Sequence, residues 1–397
     1  MITSAPASRI CIIAGEESGD QLGGKLMRAL KMRAPQGVAF SGVGGAAMQA
    51  EGLTSVFPMA DIAVMGVAAI LQRLPLLLRR IGDCARACIA ARPDVLILID
   101  CPEFSHRVAQ RLRRALPNVP VIDYVCPSVW AWRSGRARKM RRYIDEVLAL
   151  LPFEPAALDR LGGPQGTYVG HPLIERLDEL RPNAEEARRR QTTPPLVLAL
   201  PGSRRSEIDR LMPVFGAALA RAAADFGPLD VALPAVEKHA AHIENLARDW
   251  PLKPRISHGE AEKFAAFRSA RAALAASGTV SLELALSQVP TVIAYKMAAW
   301  ETAIARRLIR VPSIVLPNLI LGEKAVPEFI QEDCTAETLA GALTRLLCEG
   351  PVRDAQLAAF ARLDKLMQLP DGAEPSAAAA NRVAHWLELA PARDGGR

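Results

Sequence analysis

The chain has 397 residues, of which 50% are apolar and 5% aromatic, and a formal net charge of +7. This length favours two or three domains, and the excess of alanine, leucine and arginine over aromatic residues favours a helix-rich α/β protein over an all-β sandwich. The charge is too small to establish nucleic-acid binding, although arginine favours planar oxyanions such as phosphate.

The cysteines and the apolar segments argue against a secreted or membrane-spanning chain. The 7 cysteines have no C-x-x-C spacing, which indicates reduced thiols in a cytosolic protein. The first ten residues lack the pattern of a signal peptide. The longest apolar run, 62–71, ends at Gln72 and is shorter than the roughly 18 residues of a spanning helix.

Short apolar runs alternate with helix-patterned segments along the first half of the chain. The predicted strands there are the runs 9–14, 38–45, 94–100 and 119–125. Because they are almost continuous in valine, isoleucine and leucine, they are typical of a parallel sheet covered on both faces.

The same alternation begins again after a polar, proline-containing segment, 178–195, which is interpreted as an interdomain linker. The predicted strands of the second half are 196–200, 230–234, 272–276 and 291–295. Two doubly wound α/β domains are therefore expected, at 1–180 and 191–365, followed by a helical tail at 366–397. Ligands of such sheets bind beyond the carboxyl ends of the strands, so the strand-to-helix loops are the candidate sites.

The loop after the strand 196–200 has the features of an anion site. Gly202 and Ser203 stand where backbone N–H groups at a helix start are expected to be unpaired, and Arg204 adds a guanidinium. The loop has no P-loop motif for ATP. An ordinary capped helix with solvated arginines is the open alternative.

A second loop in the same half has similar features. Ser277, Gly278 and Thr279 lie between a strand and a helix that carries Glu283, whose carboxylate is able to accept hydrogen bonds from a ribose diol. The alternative for Glu283 is a favourable interaction with the helix dipole. Together the two loops predict a nucleoside diphosphate.

In the first half, the candidate general base is Asp100, at the end of an apolar strand and followed by Pro102 and Glu103. A carboxylate that is partly desolvated has a raised pKa and suits this role. Capping of the following helix is the alternative.

Two further stretches of the first half suit a lipid or a membrane surface. Trp130 and Trp132 precede a basic run that begins at Arg133, and the segment 59–81 is unusually apolar. Nucleic acid, an anionic membrane surface and a solvated helix face are all open for the basic run. The apolar segment is either a core helix or an element for acyl chains. His171 lies in a glycine-flanked turn where it can contact substrate, and the six histidines form no metal set.

These motifs occur together in a characteristic order. The segments are AGEESGD, GVGG, IDCPEF, PSVWAWR, LPFE, VGHP, LPGSRRSEI, SGTVSLE, YKM and LPNLILGEKAVPE. Over residues 9–335 they closely resemble the lipid-A-disaccharide synthases. The last sixty residues carry none of the family's motifs.

The resemblance implies a GT-B fold, with two Rossmann-like domains facing each other across a cleft, and an inverting glycosyltransferase. Its substrates are UDP-2,3-diacylglucosamine and 2,3-diacylglucosamine 1-phosphate (lipid X), and it works as a peripheral protein on the cytoplasmic face of the inner membrane, in contact with surface lipids. No cofactor, metal or nucleic acid is implied. The tail helix is expected to contact the N-terminal domain or a second copy in a homodimer.

The resemblance also implies roles for residues. Asp100 is the base, with Glu16 and Ser18 nearby. The nucleotide-binding residues are Gly202, Ser203, Arg204, Ser277, Gly278, Thr279, Glu283, Tyr295, Asn318 and Glu323. The acceptor- and lipid-binding residues are Trp130, Trp132, Arg133, His171, Met65 and Leu71. Glu103 departs from the aspartate that is common in the family, which weakens a direct role for it. Another UDP-sugar enzyme of the GT-B fold, acting on a lipid-linked acceptor, is the alternative within the enzyme class. A non-catalytic binding protein leaves the nucleotide loops and Asp100 without a purpose.

Overall fold

The computed structural model describes residues 8–34, 37–63, 67–308 and 311–389. The chain forms two compact units. Unit 1 holds the chain up to Glu175 and again from Leu369, and unit 2 holds Arg176–Gln368.

Unit 1 is built on a parallel sheet of seven strands. The strands are β1 (Ser8–Ala14), β2 (Val38–Val43), β3 (Thr54–Ser55), β4 (Val95–Ile99), β5 (Val121–Tyr124), β6 (Glu146–Ala149) and β7 (Gln165–Tyr168). The helices are α1 (Glu17–Arg33), α2 (Ala46–Ala50), α3 (Val67–Ala91), α4 (Pro102–Ala115), α5 (Gly135–Met140) and α6 (Glu154–Arg160). The strand order is β3-β2-β1-β4-β5-β6-β7. Since the order reverses between β1 and β4, a ligand-binding crevice is expected at the carboxyl ends of these two strands.

Unit 2 repeats this plan with a parallel sheet of six strands. The strands are β8 (Leu196–Leu200), β9 (Asp230–Ala235), β10 (Arg255–His258), β11 (Ala272–Ala276), β12 (Thr291–Tyr295) and β13 (Glu328–Ile330). The helices are α7 (Leu177–Leu180), α8 (Ala184–Arg189), α9 (Arg205–Phe226), α10 (Ala240–Ala247), α11 (Glu260–Ser269), α12 (Val280–Leu286), α13 (Ala299–Leu308), α14 (Leu316–Leu321), α15 (Ala336–Leu347) and α16 (Pro351–Met367). In the order β10-β9-β8-β11-β12-β13, the reversal lies between β8 and β11.

The central strands explain why the sequence folds in this way. All five residues of β4, of β8 and of β11 are buried. Such strands need helices on both faces, and the amphipathic segments between the strands supply them. The prediction of two doubly wound α/β halves is confirmed, while β3, β6, β7, β10 and β13 were not predicted from the sequence.

The segment interpreted as a linker, 178–195, belongs to unit 2. Asn183 forms a capping box with Glu186 at the start of α8. Arg190 is buried and donates hydrogen bonds to the backbone carbonyls of Phe267, Arg268, Ser287 and Gln288. These bonds tie the polar segment into unit 2, so the chain passes between the units at Glu175 and Arg176 instead.

The last helix, α17 (Pro375–Leu389), returns to unit 1 and packs against α1. Glu146 of β6 is fully buried and accepts hydrogen bonds from Arg382 and Trp386 of α17. A buried carboxylate needs such partners, and these two hold the helix to the sheet of unit 1.

Candidate functional site

The loops that follow β1 and β4 meet at the switch point of unit 1. A Cβ added to Gly15 would lie 2.3 Å from Cβ of Cys101, so only glycine permits this approach. Asp100 and Cys101 have φ angles of 56° and 49°, in the left-handed region that non-glycine residues rarely adopt. Glu16 precedes α1 on the neighbouring loop, and Ser18 is exposed in the first turn of that helix.

A cavity of about 280 Å³ opens beside Asp100, and residues after β5 form its other wall. Its lining residues are Asp100, Pro102, Glu103, Asp123, Val125, Cys126, Pro127, Ser128, Val129, Trp132, Arg133 and Arg136. Val125 and Arg133 also have positive φ angles, 93° and 53°. Strained backbone on both walls of one cavity is typical of a binding or catalytic site.

The environment of Asp100 makes it a stronger base than an exposed aspartate. Burial raises the pKa of its carboxyl, and the negative charge of Asp123 raises that pKa further. The backbone N–H of Cys101, 2.8 Å from Oδ1, lowers the pKa but does not cancel the rise. The carboxylate therefore lies in a cavity in a form suited to proton abstraction.

Basic and aromatic side chains form the outer part of this cavity. Arg136 contacts the Glu103 carboxylate at 2.8 Å, and Arg133 contacts it at 3.4 Å. The Arg133 guanidinium lies 4.4 Å from the centre of the Trp132 ring. An apolar ring beside guanidinium groups suits an acceptor that has both an acyl chain and a phosphate.

Trp130 lies apart from this cavity, in contrast to Trp132. Its indole N–H donates to Glu154 at 3.1 Å, and its ring packs edge-on against Phe153. Burial raises the pKa of Glu154 to about 7. The structure therefore shows Trp130 in contact with Glu154 and Phe153, whereas acceptor binding was predicted for it.

The structure does not bring His171 to Asp100. It follows the edge strand β7, three strands away from β4 in the sheet. Its Nδ1 accepts a hydrogen bond from the backbone N–H of Leu173, and burial lowers its pKa to about 4. Two other predicted lipid-binding residues lie outside the described part of the structure: Met65 altogether, and Leu71 for its side chain.

In unit 2, the carboxylate of Glu207 lies at the loop after β8, where a bound anionic ligand was expected. Oε2 of the buried Glu207 accepts the backbone N–H groups of Ser203 and Arg204, at 3.2 and 3.3 Å. Its Oε1 accepts the Arg204 guanidinium at 3.0 Å and the Tyr295 hydroxyl at 3.3 Å. The expectation of unpaired N–H groups at Ser203 is thus wrong, because a side chain of the helix itself occupies them. Gly202 belongs to this arrangement, with a φ of 106°.

The loop after β11 lies between those after β8 and β12, because β11 is the strand between them. Ser277 donates its hydroxyl to the carbonyl of Ile314 at 2.7 Å, while Gly278 and Thr279 are exposed. Glu283 is paired with Lys263 of α11 at 3.0 Å. The structure therefore assembles at one edge the predicted residues from the loops after β8, β11 and β12.

Two further predicted donor-site residues have side-chain partners within unit 2. The buried Asn318 amide donates to the Val326 carbonyl at 2.9 Å and accepts the Val326 N–H at 2.8 Å. Glu323 is exposed and forms an ion pair with Arg362. These contacts give Asn318 a structural role in its loop.

Sequence reasoning missed two carboxylates of these sites, Glu207 and Asp123. A signal existed for Glu207, which stands three residues after the helix's N-cap, Arg204. Asp123 lies inside an apolar strand, and the sequence does not indicate that it lines the cavity beside Asp100. Among the described residues, no helix is long and apolar enough to cross a bilayer, and no three His, Cys, Asp or Glu side chains form a metal-binding group.

Comparisons with known proteins identify the family and the fold of the chain. The model of the Lipid-A-disaccharide synthetase family matches residues 10–378. The lipid-A-disaccharide synthase of Nitrobacter hamburgensis is 55% identical over 366 residues, covering 92% of each chain. That of Rhodopseudomonas palustris strain HaA2 is 52% identical over 386 residues, covering 97% of this chain and 98% of the relative.

Solved structures with low sequence identity share the fold. A putative UDP-N-acetylglucosamine 2-epimerase from Listeria monocytogenes has a TM-score of 0.61 at 13% identity and covers 96% of this chain and 95% of its own. MurG from Acinetobacter baumannii has a TM-score of 0.53 at 16% identity, with coverages of 97% and 99%. The glycotransferase of kitacinnamycin has a TM-score of 0.61 at 16% identity, with coverages of 96% and 100%. These likenesses identify the architecture of two Rossmann-like domains as the GT-B fold.

Proposed function

Because the chain belongs to the lipid-A-disaccharide synthetase family, we propose how its own residues carry out this family's reaction. The enzyme is an inverting glycosyltransferase that transfers 2,3-diacylglucosamine from UDP-2,3-diacylglucosamine to lipid X. The products are UDP and the β-1′,6-linked disaccharide 1-phosphate of lipid A. The observation that carries the assignment of residues is the cavity beside Asp100, a carboxylate held at the switch point of unit 1.

Asp100 is the general base of the proposed mechanism. Inversion needs one in-line displacement, in which the acceptor's 6-hydroxyl attacks the anomeric carbon and the bond to the diphosphate oxygen breaks. One base is then enough to take the hydroxyl proton. The raised pKa of Asp100 and its place in the cavity support this role. Glu16 and Ser18, on the loop beside it, would orient the acceptor sugar.

The loops of unit 2 hold the UDP group in this proposal. The exposed side chains of Ser203 and Arg204 and the backbone at Gly202 would bind the diphosphate together with the 277–279 loop, and Glu283 would bind the ribose. Arg204 is paired with Glu207, but its side chain is 60% exposed, so it is accessible to a diphosphate. Its charge and the start of α9 would stabilise the negative charge that develops on the leaving group.

The acceptor's lipid part suits the apolar surface of unit 1. Trp132 is exposed at the cavity, and Leu74 and Leu78 are exposed on α3. Arg133 offers a guanidinium next to the ring of Trp132. We therefore assign lipid X and the lipids of the inner membrane's cytoplasmic face to this side of unit 1, with the enzyme as a peripheral protein.

The test of the base is acceptor-dependent release of UDP from UDP-2,3-diacylglucosamine, for the wild type and for Asp100→Asn. Asparagine keeps an oxygen that accepts the Cys101 N–H but cannot take a proton. We expect UDP release to fall by about 10²–10⁴-fold, with UDP affinity unchanged by calorimetry. Glu51→Gln is the matched control, because it also neutralises a carboxylate of unit 1 but lies outside the cavity.

Two results would contradict the proposal in different ways. Release that survives in Asp100→Asn would move the base to Glu16 or Glu103. A folded wild-type protein that releases no UDP in the presence of lipid X would overturn the assignment of the reaction itself.

A further inference from the structure

Four polar side chains contact one another in a row from the surface of unit 1 to the cavity wall. The proposed mechanism gives no role to the two inner ones, His106 and Asp123. Glu103 contacts Arg136 at 2.8 Å, and Arg136 contacts Nδ1 of His106 at 3.4 Å. Nε2 of His106 lies 2.8 Å from the carboxylate of Asp123. The side chains of His106 and Asp123 are each only 2% exposed. Because buried polar groups need hydrogen-bond partners, each of the two serves as the partner of the other.

The partners of His106 fix which of its nitrogens carries the proton. A guanidinium donates hydrogen bonds and cannot accept them, so Nδ1 acts as an acceptor towards Arg136. Nε2 then carries a proton and donates it to Asp123, and the Tyr143 hydroxyl lies 3.4 Å from Nδ1. The Tyr143 ring packs edge-on against the imidazole at 5.6 Å and limits its rotation.

Asp123 lies on the strand next to β4, near the carboxyl end of β4 that Asp100 follows. Leu98 of β4 is paired with Asp123 of β5, and Asp100 follows Leu98 by two residues. Asp100 lies just past the end of β4 with a left-handed φ of 56°, so its position is given by the cavity that it lines and not by strand alternation. Both carboxylates line the 280 Å³ cavity. Asp123 thus places a second negative charge beside the proposed base.

We infer that Asp123, held by His106, is a positioning residue for the transfer reaction whose negative charge opposes the ionisation of Asp100 and makes Asp100 a stronger base. This inference rests on the proposed role of Asp100. Asp123 itself is buried in the wall and hydrogen-bonded, so it acts through Asp100 and does not receive the acceptor's proton.

The other charged and titratable groups around the pair do not remove this effect. They are Glu16 after β1, Glu103 on α4, Cys126 and Arg133 after β5, Arg136 on α5, and Tyr143. The two arginines are paired with Glu103. The ring of His106 lies between Arg136 and Asp123, so the guanidinium does not contact the Asp123 carboxylate directly.

The experiment is the pH profile of kcat/KM for UDP release, for the wild type and for Asp123→Asn. The asparagine oxygen still accepts the His106 N–H, so the substitution removes the charge and keeps the hydrogen bond. Activity requires ionised Asp100 and therefore rises with pH through its pKa. Without the neighbouring negative charge that pKa falls, so we expect the acidic limb to move to lower pH by about one unit. The plateau rate falls several-fold, because a weaker base remains.

Three further variants complete the test. His106→Gln keeps a hydrogen-bond donor for Asp123, so the acidic limb of its pH profile should stay at the wild-type pH. Glu51→Gln is the control for loss of a carboxylate outside the cavity. A limb that stays at the wild-type pH in folded Asp123→Asn overturns the inference while UDP release persists. If Asp123→Asn fails to fold, Asp123→Ser is the second variant, since its hydroxyl still accepts the His106 N–H and carries no charge, and an acidic limb that stays at the wild-type pH in it overturns the inference.

Discussion

At the scale of single residues, the anion site of unit 2 depends on the space between Gly202 and Glu207. Glu207 accepts the N–H groups that a diphosphate would otherwise contact, and it also binds the Arg204 guanidinium and the Tyr295 hydroxyl. One carboxylate therefore organises three residues of the proposed donor site, Ser203, Arg204 and Tyr295, before the nucleotide binds. Preorganised donors lose little entropy when the ligand arrives.

A methyl group at Gly202 should disturb this arrangement. The added Cβ would lie 2.5 Å from Oε2 of Glu207, at a φ of 106° that alanine rarely adopts. We expect Gly202→Ala to weaken UDP binding about tenfold, equivalent to ~1.4 kcal/mol, as measured by titration calorimetry. Gly341→Ala is the control, because its Cβ meets no atom within 4 Å. Equal UDP affinity in both variants would place the diphosphate away from this loop.

At the scale of elements, the sequence predicts the strands that are buried on both faces. The apolar runs 196–200, 272–276 and 291–295 coincide with β8, β11 and β12. A strand of this kind must be apolar along its whole length, so its pattern is visible without knowledge of the partners. The short strands β3 and β13 lack such runs, because two or three residues at a sheet edge need little burial.

The partners of polar side chains could not be predicted in the same way. His106 and Asp123 meet only because α4 folds back over β5, and the bonds of Asn318 depend on the path of the loop up to Val326. Such contacts follow from tertiary packing, whereas the loops at the strand ends follow from the order of elements. This is why the edges that carry the sites were predicted and several individual partners were not.

The attachment of α17 to unit 1 should depend on the buried charge of Glu146. Arg382 approaches its carboxylate at 3.0 Å, and removal of the guanidinium leaves a buried charge with fewer partners. We expect Arg382→Ala to lower the free energy of unfolding by about 3 kcal/mol, measured by urea denaturation. Arg28→Ala, which breaks an exposed pair with Glu51, should cost less than about 1 kcal/mol. Similar losses in both variants would mean that the pair of Arg382 and Glu146 does not hold α17 to unit 1.

At the scale of the whole molecule, charge and exposed apolar surface act together. The chain carries a net charge of +7, and the exposed Leu74 and Leu78 lie on α3 near the basic residues of the same helix. Basic residues attract an anionic surface over about a Debye length, and apolar side chains then insert over a much shorter distance. The two contributions differ in their response to salt, which allows them to be separated.

We therefore expect the protein to bind vesicles that contain anionic phospholipid, with an affinity that falls as salt is raised and does not vanish at high salt. Leu74→Ser with Leu78→Ser should abolish the salt-resistant part, since the remaining attraction is electrostatic and is screened. Leu366→Ser is the control, because Leu366 is 47% exposed, against 39% for Leu74 and 46% for Leu78, but lies in unit 2. Sedimentation with vesicles measures both parts, and competition by RNA in the same assay tests the basic run. If the control variant loses as much binding as the α3 variant, the membrane surface does not lie on this side of unit 1. If RNA displaces the vesicles at physiological salt, the basic run binds nucleic acid and does not bind the membrane.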